Sequence, residues 1–376
     1  RARTPPPTLF PDAIEKHLAK IYRQEVRRDI PEVLAGFLAN VDGQGTPLDE
    51  WMRSRFAPLF LALGCLDVIV DRPVWTEEVR TRADELRLDN TPIVVIVPPQ
   101  DVVWWRLVPS GLYEEVLIRE RILDQDDKYQ EQFRHWTTQD WTLYDDRGVL
   151  IETAAHPYGV VPVIRLFEKR SVIYQHVGRS RYLPIAFVQQ EAYNRDSELV
   201  LSDTIRAHPQ LQAPDTAASD PDNPLPMGPG YILFMRQNPN TNDYVPFSYL
   251  DPPKGASDSL RANFANLVDR AERSAGLVRP AGAEQATVGQ SGVSKVIDLE
   301  EGGNLLASIA ASLARAETRI CQLALRVLKG GPTVATTDQD AASIVYPKEF
   351  ALWGARDLTD VTLGFQQVGR DAGNFP

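Results

Sequence analysis

A proline-rich stretch from His208 to Lys254 interrupts an otherwise helical region of the chain. Ten of the chain's 29 prolines fall within it, and proline removes a helical hydrogen bond and clashes with the preceding turn. The flanking residues 184–207 and 257–276 have helical spacing instead, and Pro184 suits a first helical turn. Within the interruption, GYILFM and DYVPFSYL predict two short strands. The sequence therefore predicts a small β-containing subdomain inserted between two helices.

The second of these helices has its own start and stop signals. Ser257 or Asp258 is expected to cap it, and Gly276 is expected to end it. Its apolar stripe consists of Leu260, Phe264, Leu267 and Val268.

A longer helix is predicted from Val296 to Lys329, about 50 Å at about 1.5 Å per residue. Gly302 and Gly303 predict a kink or a boundary near its start. Its apolar positions recur at helical spacing and are expected to pack on the body: Leu305, Ile309, Leu313, Ile320, Leu323 and Val327. Alanines interspersed among them allow close approach of other elements.

The remainder of the chain predicts an α+β fold. Residues 1–90 are expected to be helical, with one strand from Asp67 to Pro73. Residues 91–180 contain short runs rich in Val, Ile, Trp, Tyr and Thr, which predict an antiparallel sheet with a hairpin turn at Asp145–Gly148. The runs ASIVYPKEF and LTDVTLGF predict two strands near the end. Trp104 and Trp105 are expected to be core residues; on a strand they would face opposite sides, so that one of them could instead meet a neighbouring subunit.

Charge and cysteine content exclude several classes of protein. The net charge is −11 and the pI is about 5.1, whereas a protein that holds nucleic acid by neutralising phosphates is basic. Cys65 and Cys321 are too few for a disulfide framework or a zinc site, and buried free thiols are expected. No apolar run is long enough to span a membrane.

Motifs of catalysis are absent from the sequence. It contains no phosphate-binding glycine loop, no H-E-x-x-H, no C-x-x-C and no G-x-S-x-G. DQDD at Asp124 departs from a calcium loop after three positions, so a solvated turn is expected there. The five histidines lie on different elements without i, i+4 pairing. We therefore predict no catalytic centre, no metal and no cofactor.

Several segments, taken in order, resemble the portal proteins of tailed bacteriophages, in particular a siphophage-like portal family. LGCLDVIVDRP followed by PPQDVVWWRL is similar to the start of a portal wing. HPYGVVPVIRL (His156–Leu166) is similar to the segment that precedes the stem, and AYNRDSELVLSDTIRAHPQL to the helix that follows. SGVSKVIDLEEGGNLLASIAASLARAETRI resembles a tunnel loop and tunnel helix. The resemblance covers about residues 60–365.

The resemblance implies a portal-type subunit with an α/β wing, a helical stem, a β-containing clip, a tunnel loop and a long tunnel helix. The implied divisions are a wing at 1–183 (helical over 1–90, β-rich over 91–183), a stem helix at 184–207, a clip at 208–254, a second stem helix at 255–276, a tunnel loop at 277–294, a tunnel helix at 295–330, and a wing return or truncated crown at 331–376.

The family assembles as a head–tail connector, a ring of about twelve subunits at one capsid vertex, through which double-stranded DNA is packaged and ejected. The implied partners are the terminase large subunit, the head–tail adaptor, and the major capsid and scaffolding proteins, with no membrane. The implied location is the virion, after assembly in the host cytoplasm.

The resemblance also implies candidate site residues. The DNA-facing residues of the tunnel loop would be Arg279, Gln285, Thr287, Gln290, Ser291 and Lys295. The partner-binding residues of the clip would be Pro224, Met227, Tyr231, Phe234 and Tyr244. Lys254, Arg261, Arg270 and Arg273 are expected on solvated stem faces or in salt bridges between subunits.

Two alternatives remain at the level of sequence. The first is another virion ring or adaptor protein, which would lack the stem–clip–stem arrangement. The second is an α+β hydrolase, which would be a monomer or dimer with a pocket lined by His135, His156 or Asp140.

Overall fold

The α+β fold class predicted from the sequence is confirmed, since helices and sheets are both extensive. The computed structural model describes residues 7–72, 91–123, 128–207, 210–215, 232–236, 248–250, 254–275, 292–329 and 342–350. The chain divides into two compact units, one of Arg1–Phe10 with Pro184–Ala275, the other of Pro11–Leu183 with Gly276–Pro376.

The N-terminal region of the larger unit is helical, as predicted, but it also contains an unpredicted strand, β1 (Arg27–Asp29). Its helices are α1 (Leu9–Ile21), α2 (Ala35–Ala39), α3 (Leu48–Trp51) and α4 (Ala57–Leu63). A π-helical segment, Met52–Phe56, joins α3 to α4. Gly64 ends α4 with φ of 77°, and a Cβ there would lie 2.3 Å from the Ser180 backbone nitrogen. This position therefore requires glycine for both its conformation and the close approach of another segment.

A three-stranded antiparallel sheet has the order β3–β2–β9. Its strands are β2 (Cys65–Asp71), β3 (Ile93–Val97) and β9 (Val163–Phe167). The strand predicted at Asp67–Pro73 is thus present but begins two residues earlier, and Pro73 lies outside the described residues. β2 is buried along almost its whole length, which explains why its sequence is apolar without strict alternation.

The single antiparallel sheet predicted over residues 91–180 is divided between two sheets: β3 and β9 pair with β2, and the other strands form an antiparallel meander in the order β4–β5–β6–β7–β8. Its strands are β4 (Val102–Leu107), β5 (Tyr113–Leu123), β6 (Tyr129–Trp136), β7 (Asp140–Tyr144) and β8 (Leu150–Ala155). The hairpin turn predicted at Asp145–Gly148 is confirmed, with Gly148 at φ of 79°. One core cluster joins this sheet to the first: Ile69, Val97, Val102, Tyr113, Val116, Ile118, Trp136, Trp141, Leu143, Val161 and Val163.

The expectation that Trp104 and Trp105 are core residues is wrong. The two residues are 45% and 38% exposed. They lie on β4, an edge strand whose pairing with β5 shifts register between Val102 and Trp104. The irregular edge leaves both rings outside the cluster that fills the space between the sheets.

The long helix is one continuous element, α7 (Gly292–Lys329). It starts before the predicted Val296 and continues through Gly302 and Gly303, so the predicted boundary at the glycines is wrong. The expected stripe is buried from Ile309 onward, but Leu306 rather than Leu305 begins it. Leu305 itself is half-buried. α7 contacts β2 and β9.

A buried carboxylate fixes the middle of α7. Glu317 is fully buried; one of its carboxylate oxygens accepts a hydrogen bond from Arg28 Nε (2.5 Å) and the other from the Tyr346 hydroxyl (2.7 Å). Burial raises the pKa of Glu317, and the Arg28 guanidinium and the Tyr346 hydroxyl oppose that rise. Tyr346 follows β13 (Ser343–Val345), which pairs antiparallel with β1. The ion pair thus ties the helix to two chain segments that are distant in sequence.

Glu317→Ala is expected to lower the free energy of unfolding by about 3–5 kcal/mol, because it breaks a buried ion pair and removes the carboxylate that accepts from the Tyr346 hydroxyl. Arg28 would keep only its ion pair with the exposed Asp49. Denaturant unfolding followed by circular dichroism measures the change. Glu15→Ala is the matched control, since Glu15 is helical and exposed, and it should change the value by less than about 0.5 kcal/mol. Equal effects for the two variants would contradict this role for Glu317.

The smaller unit contains two helices and a small mixed sheet. The helices are α5 (Leu183–Ala207), with Pro184 in its first turn as predicted, and α6 (Lys254–Ser274). The sheet has the order β11–β10–β12, with β10 parallel to β11 and antiparallel to β12. Its strands are β10 (Gln210–Asp215), β11 (Ile232–Arg236) and β12 (Ser248–Leu250). Both predicted strands are confirmed in their described residues, whereas central β10 was missed because its run QLQAPD is polar and contains proline.

The start predicted for α6 is wrong. The helix begins at Lys254, so neither Ser257 nor Asp258 caps it. Ser257 is buried, and its Oγ lies 2.9 Å from Ser202 Oγ of α5. A polar residue taken for a cap is therefore a contact between helices. Gly276, the DQDD segment and LTDVTLGF lie outside the described residues.

Both thiols are buried and free, as predicted. Burial raises the pKa of the Cys321 thiol to about 12 and also raises the pKa of Cys65. Because the thiolate is the reactive form, the native protein at pH 8 should react with an aromatic disulfide reagent at least about a hundredfold more slowly than the chain unfolded in guanidinium. Rapid labelling of the native protein would contradict the burial of these thiols.

Candidate functional site

The residues predicted to face DNA lie almost wholly beyond the described ranges of the chain. Arg279, Gln285, Thr287, Gln290 and Ser291 are outside them. Lys295 lies in the first turns of α7, where the structure describes the backbone alone. Their role stays a prediction.

The predicted clip residues are in a similar position. Pro224, Met227, Tyr231 and Tyr244 lie outside the described residues. Phe234 is the middle residue of β11, opposite Ala213 of β10. Its place on a strand of the small sheet is therefore known, whereas partner binding by this set stays a prediction.

The residues named for a hydrolase site stabilise a hairpin instead. Asp140 Oδ1 accepts a hydrogen bond from Thr137 Oγ1 (2.7 Å), and His156 Nε2 donates to the Thr137 carbonyl oxygen (3.0 Å). His135 Nε2 lies 3.3 Å from a Glu115 carboxylate oxygen on the neighbouring strand. These contacts give each residue a structural role. Within the described ranges, no group of three or more His, Cys, Asp or Glu residues is placed to hold a metal ion.

A cleft of about 460 Å³ opens beside the β4–β5 turn. One wall is that turn, and the other is β9 with the segment that follows it. The lining residues are Trp105, Leu107, Val108, Pro109, Ser110, Gly111, Tyr113, Arg165, Phe167, Arg170, Gln175 and His176. None of the three proposed hydrolase residues is among them.

The charge of Arg165, one of the two arginines that line this cleft, is neutralised by a buried aspartate. Arg165 Nη2 and Nε bond Asp67 Oδ2 at 2.7 and 3.0 Å, and Arg165 Nη1 donates to the His176 carbonyl oxygen (2.9 Å). The Tyr113 hydroxyl donates to Asp67 Oδ1 at 2.6 Å. The guanidinium also lies over the Trp105 ring, 5.2 Å from its centroid. The donors of Arg165 are thus committed to the protein itself, and the Asp67 cluster joins β2, β5 and β9. Arg170, the other arginine of the lining, lies over the Phe167 ring.

The Asp67 cluster was missed by sequence reasoning, although the sequence contains a signal for it. An aspartate in the middle of CLDVIV and an arginine in the middle of VIRLF each interrupt a strand that is otherwise apolar. A buried charge requires a partner, so the two could have been paired. Burial raises the pKa of Asp67, while Arg165 and Tyr113 act in the opposite direction.

Two arginines of α6 have ion-pair partners within the smaller unit. Arg261 Nη2 lies 2.9 Å from Asp203 Oδ2, which joins the end of α5 to the start of α6. Arg273 pairs with Asp269 one turn earlier on α6. These two arginines therefore have partners within the subunit, and Arg270 is exposed, in line with the expected solvated faces.

Large apolar side chains are exposed on both units. Phe187 and Leu201 of α5 are 63% and 52% exposed, and Val172 and Ile173 in the larger unit are 97% and 79% exposed. Exposed apolar groups that cluster on ordered segments are typical of association surfaces. Val172 and Ile173 are adjacent on one ordered segment, whereas Phe187 and Leu201 are separated by about four helical turns. None of the described helices combines the length and apolar character needed to cross a membrane.

Comparisons with known proteins give structural likeness alone. Neither a family model nor a curated protein matches the sequence. A chain in the virion of a native gene transfer agent particle is similar over 98% of this chain and 86% of that chain, with 12% identity and a TM-score of 0.37. A chain in the neck of an empty gene transfer agent particle has the same coverage and identity, with a TM-score of 0.40. Both scores lie below 0.5, so the likeness does not establish a shared function.

Tyr113→Phe is expected to lower the free energy of unfolding by about 1.5–3 kcal/mol, because it removes a hydrogen bond to a buried carboxylate without changing the ring. Tyr129→Phe is the matched control, since Tyr129 is 73% exposed, and it should be nearly neutral. Thermal unfolding of both variants checks this. A neutral Tyr113→Phe would show that Asp67 does not depend on the hydroxyl.

Proposed function

We propose that this protein is the portal subunit of a tailed-phage-like particle. In this proposal about twelve copies form a ring at one capsid vertex, and double-stranded DNA passes through its channel during packaging and ejection. The subunit carries out no catalysis; the terminase large subunit supplies the motor and docks on the ring before the head–tail adaptor replaces it.

The observation that carries the proposal is the unit made of α5, the small sheet and α6. It begins and ends at the borders of one compact unit, Pro184 and Ala275. Two helices joined through a small sheet correspond to the stem, clip and stem that the sequence resemblance implies. The contacts Ser202–Ser257 and Asp203–Arg261 hold the two helices together beside that sheet.

In the proposed assignment, residues 1–183 form the wing and the 208–254 segment forms the clip. The clip would meet the terminase and later the adaptor through Pro224, Met227, Tyr231, Phe234 and Tyr244. The wing would face the major capsid protein and, during assembly, the scaffolding protein. The 277–294 segment would be the tunnel loop, and α7 the helix behind it.

The negative net charge of the chain suits a protein that lets DNA pass more than one that binds DNA tightly. Each phosphate that a protein neutralises adds affinity for DNA, and a tightly binding channel would stall a moving polyanion. A net charge of −11 avoids that. In this proposal Arg279 and Lys295 touch phosphates, while Gln285, Thr287, Gln290 and Ser291 provide weak polar contacts.

A ring also accounts for the apolar side chains exposed on the single chain. Heterologous contacts whose rotation closes produce rings, and each subunit then covers surface on the next. An α+β hydrolase gains no such support, because His135, His156 and Asp140 are engaged in hairpin contacts. Another virion ring or adaptor protein would also assemble into a ring, but this alternative does not explain the helix–sheet–helix unit.

The test is the native mass of the purified chain, measured by native mass spectrometry together with negative-stain images. Rings of about twelve subunits with a central hole are expected. A particle without a hole, or a stable monomer or dimer at high concentration in the presence of capsid and scaffolding protein, would overturn the proposal.

Deletion of Gln285–Gln290 is expected to leave ring assembly intact and to reduce the yield of DNA-filled particles, because the loop would no longer reach the DNA. Replacing the same residues with a glycine–serine segment of equal length is the matched control for loop length. Particle density in a gradient separates filled from empty capsids. Normal filling of particles that carry the deletion would refute the role of the loop.

A further inference from the structure

The larger unit carries a small ordered projection, residues 171–178, here termed the tip hairpin. Ser171 N–H donates to the Val177 carbonyl oxygen (2.9 Å), and Ser171 Oγ accepts from the backbone N–H groups of Ile173 and Tyr174 (3.3 and 3.2 Å). At its base, a Cβ on Gly178 would lie 2.4 Å from Cys65 Cβ. The conformation of the tip hairpin is thus stabilised by its own hydrogen bonds, and its base packs closely against β2.

The tip hairpin presents apolar side chains to solvent. Val172, Ile173, Tyr174 and Val177 are 97%, 79%, 66% and 49% exposed. Single exposed apolar residues are ordinary, but four on one ordered turn mark an interaction site. A pre-shaped apolar projection also loses little conformational entropy on binding.

Positive charge surrounds the base of the tip hairpin. Lys169, Arg170 and Arg179 are exposed, and among the described residues none of them has a carboxylate within ion-pair distance. Arg170 instead lies over the Phe167 ring, 4.5 Å from its centroid. The surface that receives this projection should therefore be apolar and acidic.

The chain itself contains such a surface at β8. Val149, Leu150 and Ile151 are 60%, 55% and 49% exposed. Leu150 and Ile151 begin β8, the last strand of the five-stranded sheet, where no further strand pairs within the described residues, and Val149 immediately precedes it. Asp146 and Glu152 are exposed beside them and outnumber the single cation of that turn, Arg147. Both surfaces are open in the same chain, so they do not cover each other.

We propose that the tip hairpin of one subunit packs against the β8 surface (residues 145–152) of the next. The contact is heterologous, because two different surfaces of identical chains meet, and a closing rotation then produces a ring. It rests on the proposed portal function, for which it supplies a subunit contact in the wing. The register shift in the β7–β8 pairing near Tyr144 makes the β8 strand irregular, so the contact is side-chain packing flanked by charge pairs rather than strand addition.

A second copy fits better than nucleic acid. DNA would match the cations of the tip hairpin but not four apolar side chains at its end, and the net charge of −11 opposes approach of the whole chain to a polyanion. The β8 surface matches both the apolar and the charged features of the projection.

Cysteine cross-linking tests the contact. The double variant Ile173→Cys/Leu150→Cys, under mild oxidation, should give a ladder of covalent species beyond the dimer, because each subunit reacts with two neighbours. A mixture of the two single variants should give dimers and no larger species. Native Cys65 and Cys321 are buried, so the unsubstituted chain is the blank.

Charge reversal gives a second readout. Arg170→Glu should raise the concentration needed for half-maximal assembly by about tenfold, since complementary rim charges favour encounter and register. Arg53→Glu, at an exposed arginine of the N-terminal helical region, is the matched control and should leave assembly unchanged. Glu152→Lys in the same chain as Arg170→Glu should recover some of the loss.

The outcomes separate this contact from the proposed function. Rings without a ladder would overturn the contact and leave the portal proposal intact, whereas absence of both rings and ladder in the presence of capsid and scaffolding protein would overturn both. Dimers from Ile173→Cys alone would indicate a symmetric contact of tip with tip and would overturn the proposal. Intact rings that lose DNA binding with Arg170→Glu and show no cross-link would assign the tip hairpin to nucleic acid instead.

Discussion

Burial of β2 on both faces is the constraint on which the larger unit depends. α7 contacts this strand, and Ile69 enters the core cluster that reaches into the five-stranded sheet. A strand covered on two sides cannot expose a charge to water, yet β2 contains Asp67. Arg165 on β9 and Tyr113 on β5 satisfy that carboxylate, so one residue links both sheets through directional bonds.

The same strand determines what projects from the unit. Gly64, just before β2, makes room for the backbone at Arg179 and Ser180, and Gly178 packs on Cys65 at the start of the strand. The segment between β9 and α5 is therefore held at its base while its apolar end remains exposed. A rigid body with a fixed projection is suited to repeated contacts between identical subunits, because little ordering is required on association.

α7 is held in place by one buried apolar face together with a buried ion pair. Its buried stripe packs on the body, and Glu317 bonds Arg28 beside β1 and Tyr346 beyond β13. The pairing of β1 with β13 brings the first and last described strands together. In the proposed ring, α7 would be the fixed helix behind the loop at residues 277–294.

The sequence by itself determined the fold class, the interruption between two helices, the antiparallel strands with their turn at Asp145–Gly148, and the long helix. Proline content, β-branched runs and helical spacing are local signals, so they survive without knowledge of the neighbours. Only the tertiary structure decided that Trp104 and Trp105 lie outside the core, that Ser257 bonds Ser202 instead of capping a helix, and that β10 is a central strand. These features depend on which segments are adjacent in space. The same holds for the pairing of Asp67 with Arg165: each residue is a charge within an apolar strand, but its partner lies 98 residues away in the sequence.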